Sequence, residues 1–471
     1  MFKEEPLADV KRVVIHRRRL YNFIAIAIGL IVFIILLLTL GKRKQDAIIK
    51  KDTSDDDKGT LYNTKKNNSD VSIPKFTCSS TVTSCPMYSN STWTKLSGDI
   101  IGEAQNDYAG FATALSCDGS ILAVSSIHDN NRTGHVRMYR WENDEQIWMK
   151  MGKDIEGTSP NEEFGYSLTM TSDGYTIAIG SPKSSDNAVR VFTYFDQSWV
   201  PLGQAIQAEV DDDLFGQSIS FSIDGTRIAI GASSNDGTAS DAGHARVFEI
   251  SELNGESSWV QLGEDLDGGN LGDQFGRSVS LSGDGRRVAV SGHMIDTTEG
   301  VLNTGQVRVF AYESITKKWI QVATSINGQN ENEYFGIAVS LSFDGRRLAV
   351  GSPDSEPYPL GLTRVYELTE VGWSQLGSNL FGGGNSIDLT LDGNRVAIGS
   401  KGKSGHLSVY DYDVTTSSWS QIGGDISGNE GDNSATSVAI SADGKRVVSS
   451  SPSGSINGSV NSGIVRVYDF C

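Results

Sequence analysis

Phe275-Gly-Arg-Ser-Val-Ser-Leu-Ser-Gly-Asp-Gly-Arg-Arg-Val-Ala-Val-Ser291 is the stretch on which the fold turns. Its first eight residues alternate aliphatic with small side chains, the period of a strand with two different faces. Gly283-Asp284-Gly285 is a tight turn, where glycine supplies the positive φ that a hairpin needs. Val288-Ala-Val-Ser291 returns as a second strand. A polar loop leads to a third strand, Gly305-Gln-Val-Arg-Val-Phe310, and Trp319-Ile-Gln-Val322 reads as a fourth. These four are strands A to D of one unit.

The unit recurs. Tryptophans open its fourth strand at Trp93, Trp148, Trp199, Trp259, Trp319, Trp373 and Trp419, spaced 46 to 60 residues apart. Asp-Gly pairs keep step at Asp118, Asp173, Asp224, Asp284, Asp344, Asp392 and Asp443. Repeats of this length suit four-stranded blades. Strand A carries serines on one side and Val279 and Leu281 on the other, so both faces are expected to pack against neighbouring blades, whereas a sandwich with one wet face would show charged residues on the outward positions. Closure into a ring leaves no end blade bare. The expected fold is therefore all-β, a seven-bladed β-propeller of four-stranded blades over residues 92–471. The chain ends sharpen this. Trp93 begins a D strand before any A strand, and 464–470 is a C strand with no D strand after it. Residues 92–100 are expected to complete the last blade.

Composition agrees. Glycine is abundant at 52 residues, proline is scarce at 10, and only 21 % of residues are charged. A formal charge of −18 disfavours a nucleic-acid partner. Four cysteines are too few for a disulfide scaffold, but an even count fits one or two bridges in an oxidising compartment. Cys85–Cys471 is the expected bridge, because the completed last blade brings these positions together; a local Cys78–Cys85 bridge is the rival.

Ahead of the repeats, residues 20–41 contain no charge. Twenty-two helical residues span roughly 30 Å, the thickness of a bilayer's hydrocarbon core. The apolar run exceeds a signal peptide's and no A-x-A-like site follows it. The reading is an uncleaved single-pass signal anchor, with a cytosolic tail at 1–19 and a disordered stalk at 42–91. Lys and Arg are nearly balanced across the span. The sequons at Asn67, Asn90, Asn131 and Asn457 all follow it, which favours an amino terminus inside and a propeller that is extracellular or luminal.

Phe164-Gly165, Phe215-Gly216, Phe275-Gly276 and Phe335-Gly336 each precede an Asp-Gly turn and an AVGS- or AIGA-type strand. In these the chain resembles the FG-GAP repeat propellers of integrin α subunits and of many bacterial and algal surface proteins. The resemblance covers residues 92–471. It implies a propeller that binds ligands at a cell surface. Blades one, six and seven depart from it, reading Ala109-Gly110, Gly383-Gly384 and Ser434-Ala435. Integrin-type repeats often carry a D-x-D-x-D-G calcium loop between strands A and B. Here that link is a short S-x-D-G turn, and one carboxylate does not supply the six to eight oxygens calcium takes.

An acid stands two residues before strand A in six blades: Asp107, Glu162, Asp213, Asp273, Glu333 and Asp432, with Phe381 breaking the series. These form either an acidic ring at the channel mouth or structural groups that accept backbone N–H bonds or pair with an arginine. Arg137, Arg190, Arg246, Arg308, Arg364 and Arg466 occupy one strand-C position, with Ser408 the exception in the same blade that lacks the acid. A structural pair is the favoured reading. It predicts a stability loss for Arg308→Met. His135, His244 and His406 recur on different blades, so no metal site is expected. No G-x-S-x-G elbow, HExxH or P-loop occurs. No cofactor is expected.

Strands alternate direction, so the B–C and D–A loops share one face. Variable loops on a rigid ring are where binding concentrates. Pro357 and Tyr358 form the best contact candidate, with Asp129, Asp236, Asp296 and Asp354 on neighbouring B–C loops. The leading reading is non-catalytic recognition or adhesion of an unidentified protein or glycan. A membrane-tethered carbohydrate-active enzyme, using acids such as Asp211-Asp212-Asp213, is the alternative.

Overall fold

A computed structural model describes residues 92–471 except 185, 297–299, 354–360, 402–403, 430 and 457. The expected cytosolic tail, membrane span and stalk, with Asn67, Asn90 and Cys85, lie outside the described residues. So do Pro357, Tyr358, Asp354 and Asn457. Among the described residues no helix is long and apolar enough to cross a membrane.

Seven antiparallel sheets, each ordered A-B-C-D from one edge to the other, make a seven-bladed propeller. Blade 4 is typical, with strands Phe275–Leu281, Arg287–Gly292, Gln306–Glu313 and Lys318–Gln321. The last blade takes its D strand from the start of the repeats, as expected. Trp93–Lys95 pairs with Ile464–Phe470, Trp93 opposite Phe470, and Ile100–Ile101 pairs further up the same strand. Cys471 and Thr92 exchange backbone hydrogen bonds of 2.9 and 3.1 Å.

The core is made between blades. One cluster joins Ala229, Ala245 and Val247 of blade 3 to Phe275, Val279, Leu281, Val288 and Val290 of blade 4. Another closes the ring, joining Val448, Val465 and Val467 of blade 7 to Leu122 and Val124 of blade 1. A fully buried aliphatic or aromatic side chain contributes about 1.5–3 kcal/mol, so these interfaces rather than the sheets carry the stability.

Polar contacts repeat along the same interfaces and explain the motifs. The indole N–H of Trp259 donates to the Leu202 carbonyl of the preceding blade at 3.0 Å, and Trp319 to Leu262 at 2.7 Å. Trp93 does the same to Ile422 at 3.1 Å, so the borrowed strand is held like its siblings. The small serines of strand A are hydrogen-bond acceptors as well as spacers. Ser220 Oγ accepts the Leu281 N–H and Ser280 Oγ the Leu341 N–H, each at 2.9 Å. In the Ser-x-Asp-Gly turn, Asp284 Oδ1 accepts the Ser282 hydroxyl at 2.6 Å and the Arg286 N–H at 3.0 Å. Its lone pairs therefore serve the turn.

The glycine of each Phe-Gly pair is required by position. Gly276 sits at φ +89°, and a Cβ there would collide with the carbonyl oxygen of His244 in the preceding blade. Strand A enters through a bulge at this point: Phe275 pairs with Gly292 and Ser278 with Ser291, leaving Gly276 and Arg277 unopposed. Such a bulge re-aims side chains. Here it re-aims Arg277, the residue after the glycine.

Cys471 is disulfide-bonded, and so is Cys117, to which the sequence assigned no role.

Candidate binding face

The chain reaches the propeller at the face that carries the A–B turns, because Thr92 begins a strand running away from that face alongside Cys471. The B–C and D–A loops emerge on the opposite face. Asn131 is exposed there, in the single helical turn Asp129–Arg132.

The six repeat acids stand on this face but are buried, between 0 and 6 % exposed. Each caps its own D–A turn. Asp107 accepts the Ala104 N–H at 2.6 Å, Asp213 the Val210 N–H at 3.3 Å, and Asp273 the Asn270 N–H at 2.8 Å. Asp432 accepts from Asn429 at 3.3 Å, Glu162 from Thr158 and Ser159, and Glu333 from Gln329 and Asn330. A carboxylate satisfied in this way gives the channel mouth no open acidic ring.

The expected acid–arginine pairs form only where the acid is glutamate. Glu162 meets Arg190 at 3.0 Å, and Glu333 meets Arg364 at an almost fully buried contact. Aspartate is one methylene shorter and stays with its turn. Arg137 and Arg466 pair instead with Asp154 and Asp99 beside strand D, and Arg246 with Glu209. Arg308 donates to Gln306 and to the Asp267 carbonyl, not to Asp273. Its second role is stacking. The guanidinium groups of Arg190, Arg246, Arg308 and Arg364 lie 4.1 to 5.6 Å from the ring centres of Phe164, Phe215, Phe275 and Phe335. Blade six lacks the phenylalanine, the arginine and the acid together. The stability loss expected for Arg308→Met through an abandoned Asp273 is therefore not expected from this geometry.

The loop aspartates are also engaged locally. Asp129 Oδ2 lies 2.9 Å from His135 Nδ1, Asp236 accepts the Asp241 N–H at 2.8 Å, and Asp296 accepts the Asn303 N–H at 2.8 Å. Asp211 to Asp213 line two open grooves of about 420 and 460 Å³ between the B–C and D–A loops of blades 2 and 3. Among the described residues, one trio is close enough to share a metal ion: Glu209, His244 and Asp265. The Arg246 guanidinium, 3.2 Å from Glu209, already supplies positive charge there.

What the sequence reading missed lies on the axis. Arg277 of blade 4 interacts electrostatically with Tyr166 of blade 2 and with Lys401 of blade 6. His293 of blade 4 completes the group beside Arg277. Phe111 stacks against Tyr166 with ring centres 5.0 Å apart, and Tyr334 lies 6.2 Å from the His293 ring. Burial depresses the pKa values of all three basic groups; Arg277 lowers Lys401 further and His293 as well, the latter to about 4. His293 is therefore neutral at pH 7, and its Nδ1 is buried without a partner among the described residues.

Deeper along the axis, one strand-A residue from each blade lines a cavity of about 200 Å³, from Leu115 through Leu281 to Ile440. Phe343 forms part of its floor, packed where Gly283 has no side chain. Asp388 borders this cavity at the position occupied by Ser220, Ser280 and Ser340 in other blades, and accepts the Ile440 N–H at 2.9 Å. Burial pushes its pKa up to about 7, against the pull of that hydrogen bond. Below pH 4 this carboxyl is protonated whether the chain is folded or not. Between about pH 4 and 7 the unfolded chain loses the proton first, so its contribution to stability falls and is gone above the folded-state value. Asp388→Ser should therefore melt with the parent near pH 4 and progressively above it toward pH 8. A constant gap across that range would contradict the assignment.

No protein-family model matches the chain, and no curated protein does. Two solved structures illustrate the similarities found. A Bacteroides uniformis protein assigned as a 6-phosphogluconolactonase is 15 % identical, with a TM-score of 0.49 over 68 % of this chain and 86 % of its own. Kuenenia stuttgartiensis hydrazine synthase is 15 % identical, with a TM-score of 0.49 over 74 % of this chain and 94 % of that one. The blade count rests on the strand pairing described above.

Proposed function

We propose that the protein is a non-catalytic recognition module of the FG-GAP type. In this reading a single-pass anchor holds it in a membrane, amino terminus in the cytosol, with the propeller extracellular or luminal. The Cys85–Cys471 bridge ties the stalk to the last blade. The B–C and D–A loop face contacts a protein or glycan partner. The observation that carries this is the asymmetry of the two faces. One receives the chain and crowds short turns around Phe343; the other opens on a mouth of aromatic and basic side chains drawn from several blades. A non-catalytic role is supported by the engagement of the repeat acids. A hydrolytic pair needs carboxyl groups free to act on a substrate, whereas these six hold their own turns.

The test is purification of the full chain from native membranes, followed by identification of what stays bound and a glycan-hydrolysis screen of the same preparation. A retained partner without turnover is expected. Turnover that survives further purification would replace recognition with catalysis. The full chain is needed because Cys117 and Cys471 are both disulfide-bonded.

A further inference from the structure

An aspartate recurs in the link that follows strand D, as Asp99, Asp154, Asp265 and Asp425. Three of the four are held by the strand-C residue beside them. Arg137 meets Asp154 with two hydrogen bonds of 2.9 and 2.7 Å, and Arg466 meets Asp99 with two of 3.1 and 3.3 Å. In blade 6, where serine replaces the arginine, the Ser408 hydroxyl donates to Asp425 at 2.6 Å. Asp265 is the exception. Its neighbour Arg246 stacks 4.3 Å from the centre of the Phe215 ring, and donates to Glu209 and to the Gln207 carbonyl at 3.2 Å each.

The sequence supplies the reason. A phenylalanine before the glycine draws the strand-C arginine onto its ring, and blades 1, 6 and 7 have no such phenylalanine. The other blades that have it place Ala205, Ser325 or Asn379 where the aspartate would stand. Blade 3 alone combines phenylalanine, arginine and aspartate. Among the described residues, Asp265 consequently has no ion pair with a lysine or arginine.

What faces it instead is His244. The imidazole Nδ1 lies 3.8 Å from Asp265 Oδ2, beyond hydrogen-bond reach. The residue is 1 % exposed, and its Nε2 is buried without a partner. Among the described residues this side chain therefore makes no hydrogen bond, an exception for a buried polar group. His135, at the same position in blade 1, has Asp129 at 2.9 Å. One oxygen of Glu209, one of Asp265 and one ring nitrogen of His244 lie within 4.8 Å of one another. Both carboxylates are partly exposed, and Glu209 borders the open groove on blade 3, which gives an ion in solution a way in.

The donor set narrows the ion. Two carboxylates against the single guanidinium of Arg246 leave a net negative charge, and the imidazole adds a nitrogen lone pair. Calcium and magnesium take oxygen ligands. Zinc takes histidine nitrogen and carboxylate oxygen together, and three protein ligands leave it a fourth position open. We propose that Glu209, His244 and Asp265 form a zinc site that clamps the link leaving blade 2 to strand C of blade 3. The recurring histidines do stand on different blades, but here carboxylates rather than further histidines complete the set. The site goes beyond the recognition reading and does not depend on it.

The experiment is calorimetric titration of zinc into the untagged full chain, stripped with EDTA and with its disulfides intact. Saturable binding at a site lost on substitution is expected. Asp265→Asn and Glu209→Gln should each weaken it by about tenfold or more, since removing even an outer partner of a metal ligand costs that much. Both carboxylates are at the surface, so these variants should fold. Asp425→Asn, at the same repeat position in blade 6, should leave the affinity unchanged. Zinc should also raise the melting temperature of the parent and leave that of Asp265→Asn where it was, because an ion that binds only the folded chain stabilises it. Absence of zinc binding overturns the proposal, as does affinity indifferent to both carboxylate substitutions. Calcium binding as tightly as zinc would show a site of carboxylates without the imidazole and would overturn it too. A chain that binds zinc as described yet retains no partner from native membranes loses only the recognition reading, and one that retains a partner but not zinc loses only this site.

Discussion

Trp93→Ala is expected to lower the unfolding free energy by about 3 kcal/mol, toward the lower end of the range for losing a packed tryptophan. Trp93 is the first residue of the borrowed strand. Its indole donates to Ile422 at 3.1 Å, and its ring lies 5.0 Å from that of Phe470. It also packs on a core cluster that joins blades 6 and 7, with Ala397, Val409, Val438 and Val447. Removing it strips the outer cover from two blades together. Urea titration of the full chain, followed by intrinsic fluorescence and circular dichroism, is the measurement. The expected outcome is a lower midpoint, the same by both probes. A shift worth less than about 1 kcal/mol would mean that the ring does not depend on this closure.

Arg364→Met should cost about 3–5 kcal/mol, the usual penalty for leaving one member of a buried ion pair alone. Arg364 is 1 % exposed and Glu333 0 %. Glu333 also accepts the Gln329 N–H at 2.7 Å and the Ser352 hydroxyl at 3.1 Å. Those bonds keep the carboxylate in place after its cation has gone, so the charge stays buried. Arg308→Met is the contrast. That arginine holds Gln306 and a carbonyl, leaves no buried carboxylate behind, and should cost about 1 kcal/mol. Thermal melts of the two variants side by side decide the matter. Equal losses would contradict the division between glutamate and aspartate blades.

That division also marks how far the sequence could be read. The tryptophans, the Asp-Gly turns and the unpaired final C strand are features of a period, and repetition exposed them. They were enough for the blade count and the borrowed strand. The partner of each acid was not legible, because it depends on one methylene: Glu162 and Glu333 reach their arginines while Asp273 does not. The strand-B arginines were legible and passed over. Arg227, Arg287, Arg347, Arg395 and Arg446 recur in step, and Arg446 reaches round to the Gly119 carbonyl of blade 1 at 2.8 Å. The axial mouth was hidden for the opposite reason. The residue after each Phe-Gly pair or its counterpart is Phe111, Tyr166, Gln217, Arg277, Ile337, Asn385 or Thr436, and a search for likeness discards a position that never repeats. In a ring of equivalent blades, individuality collects where the blades meet at the axis.

The junction of Thr92 with Cys471 has a mechanical consequence. A pull on the preceding chain, resisted by a ligand gripped on the far face, is directed along the strand Trp93–Lys95. The rungs joining it to Ile464–Phe470 are then loaded together in shear, rather than peeled one by one as a hairpin would be. Cys117 sits in the A–B turn of blade 1, where its N–H donates to the Ser172 carbonyl and its carbonyl accepts the Ala442 N–H at 2.9 Å each, tying that turn to blades 2 and 7. Under the anchoring proposed above, that shared loading is what should keep the ring shut under strains that would unzip a hairpin.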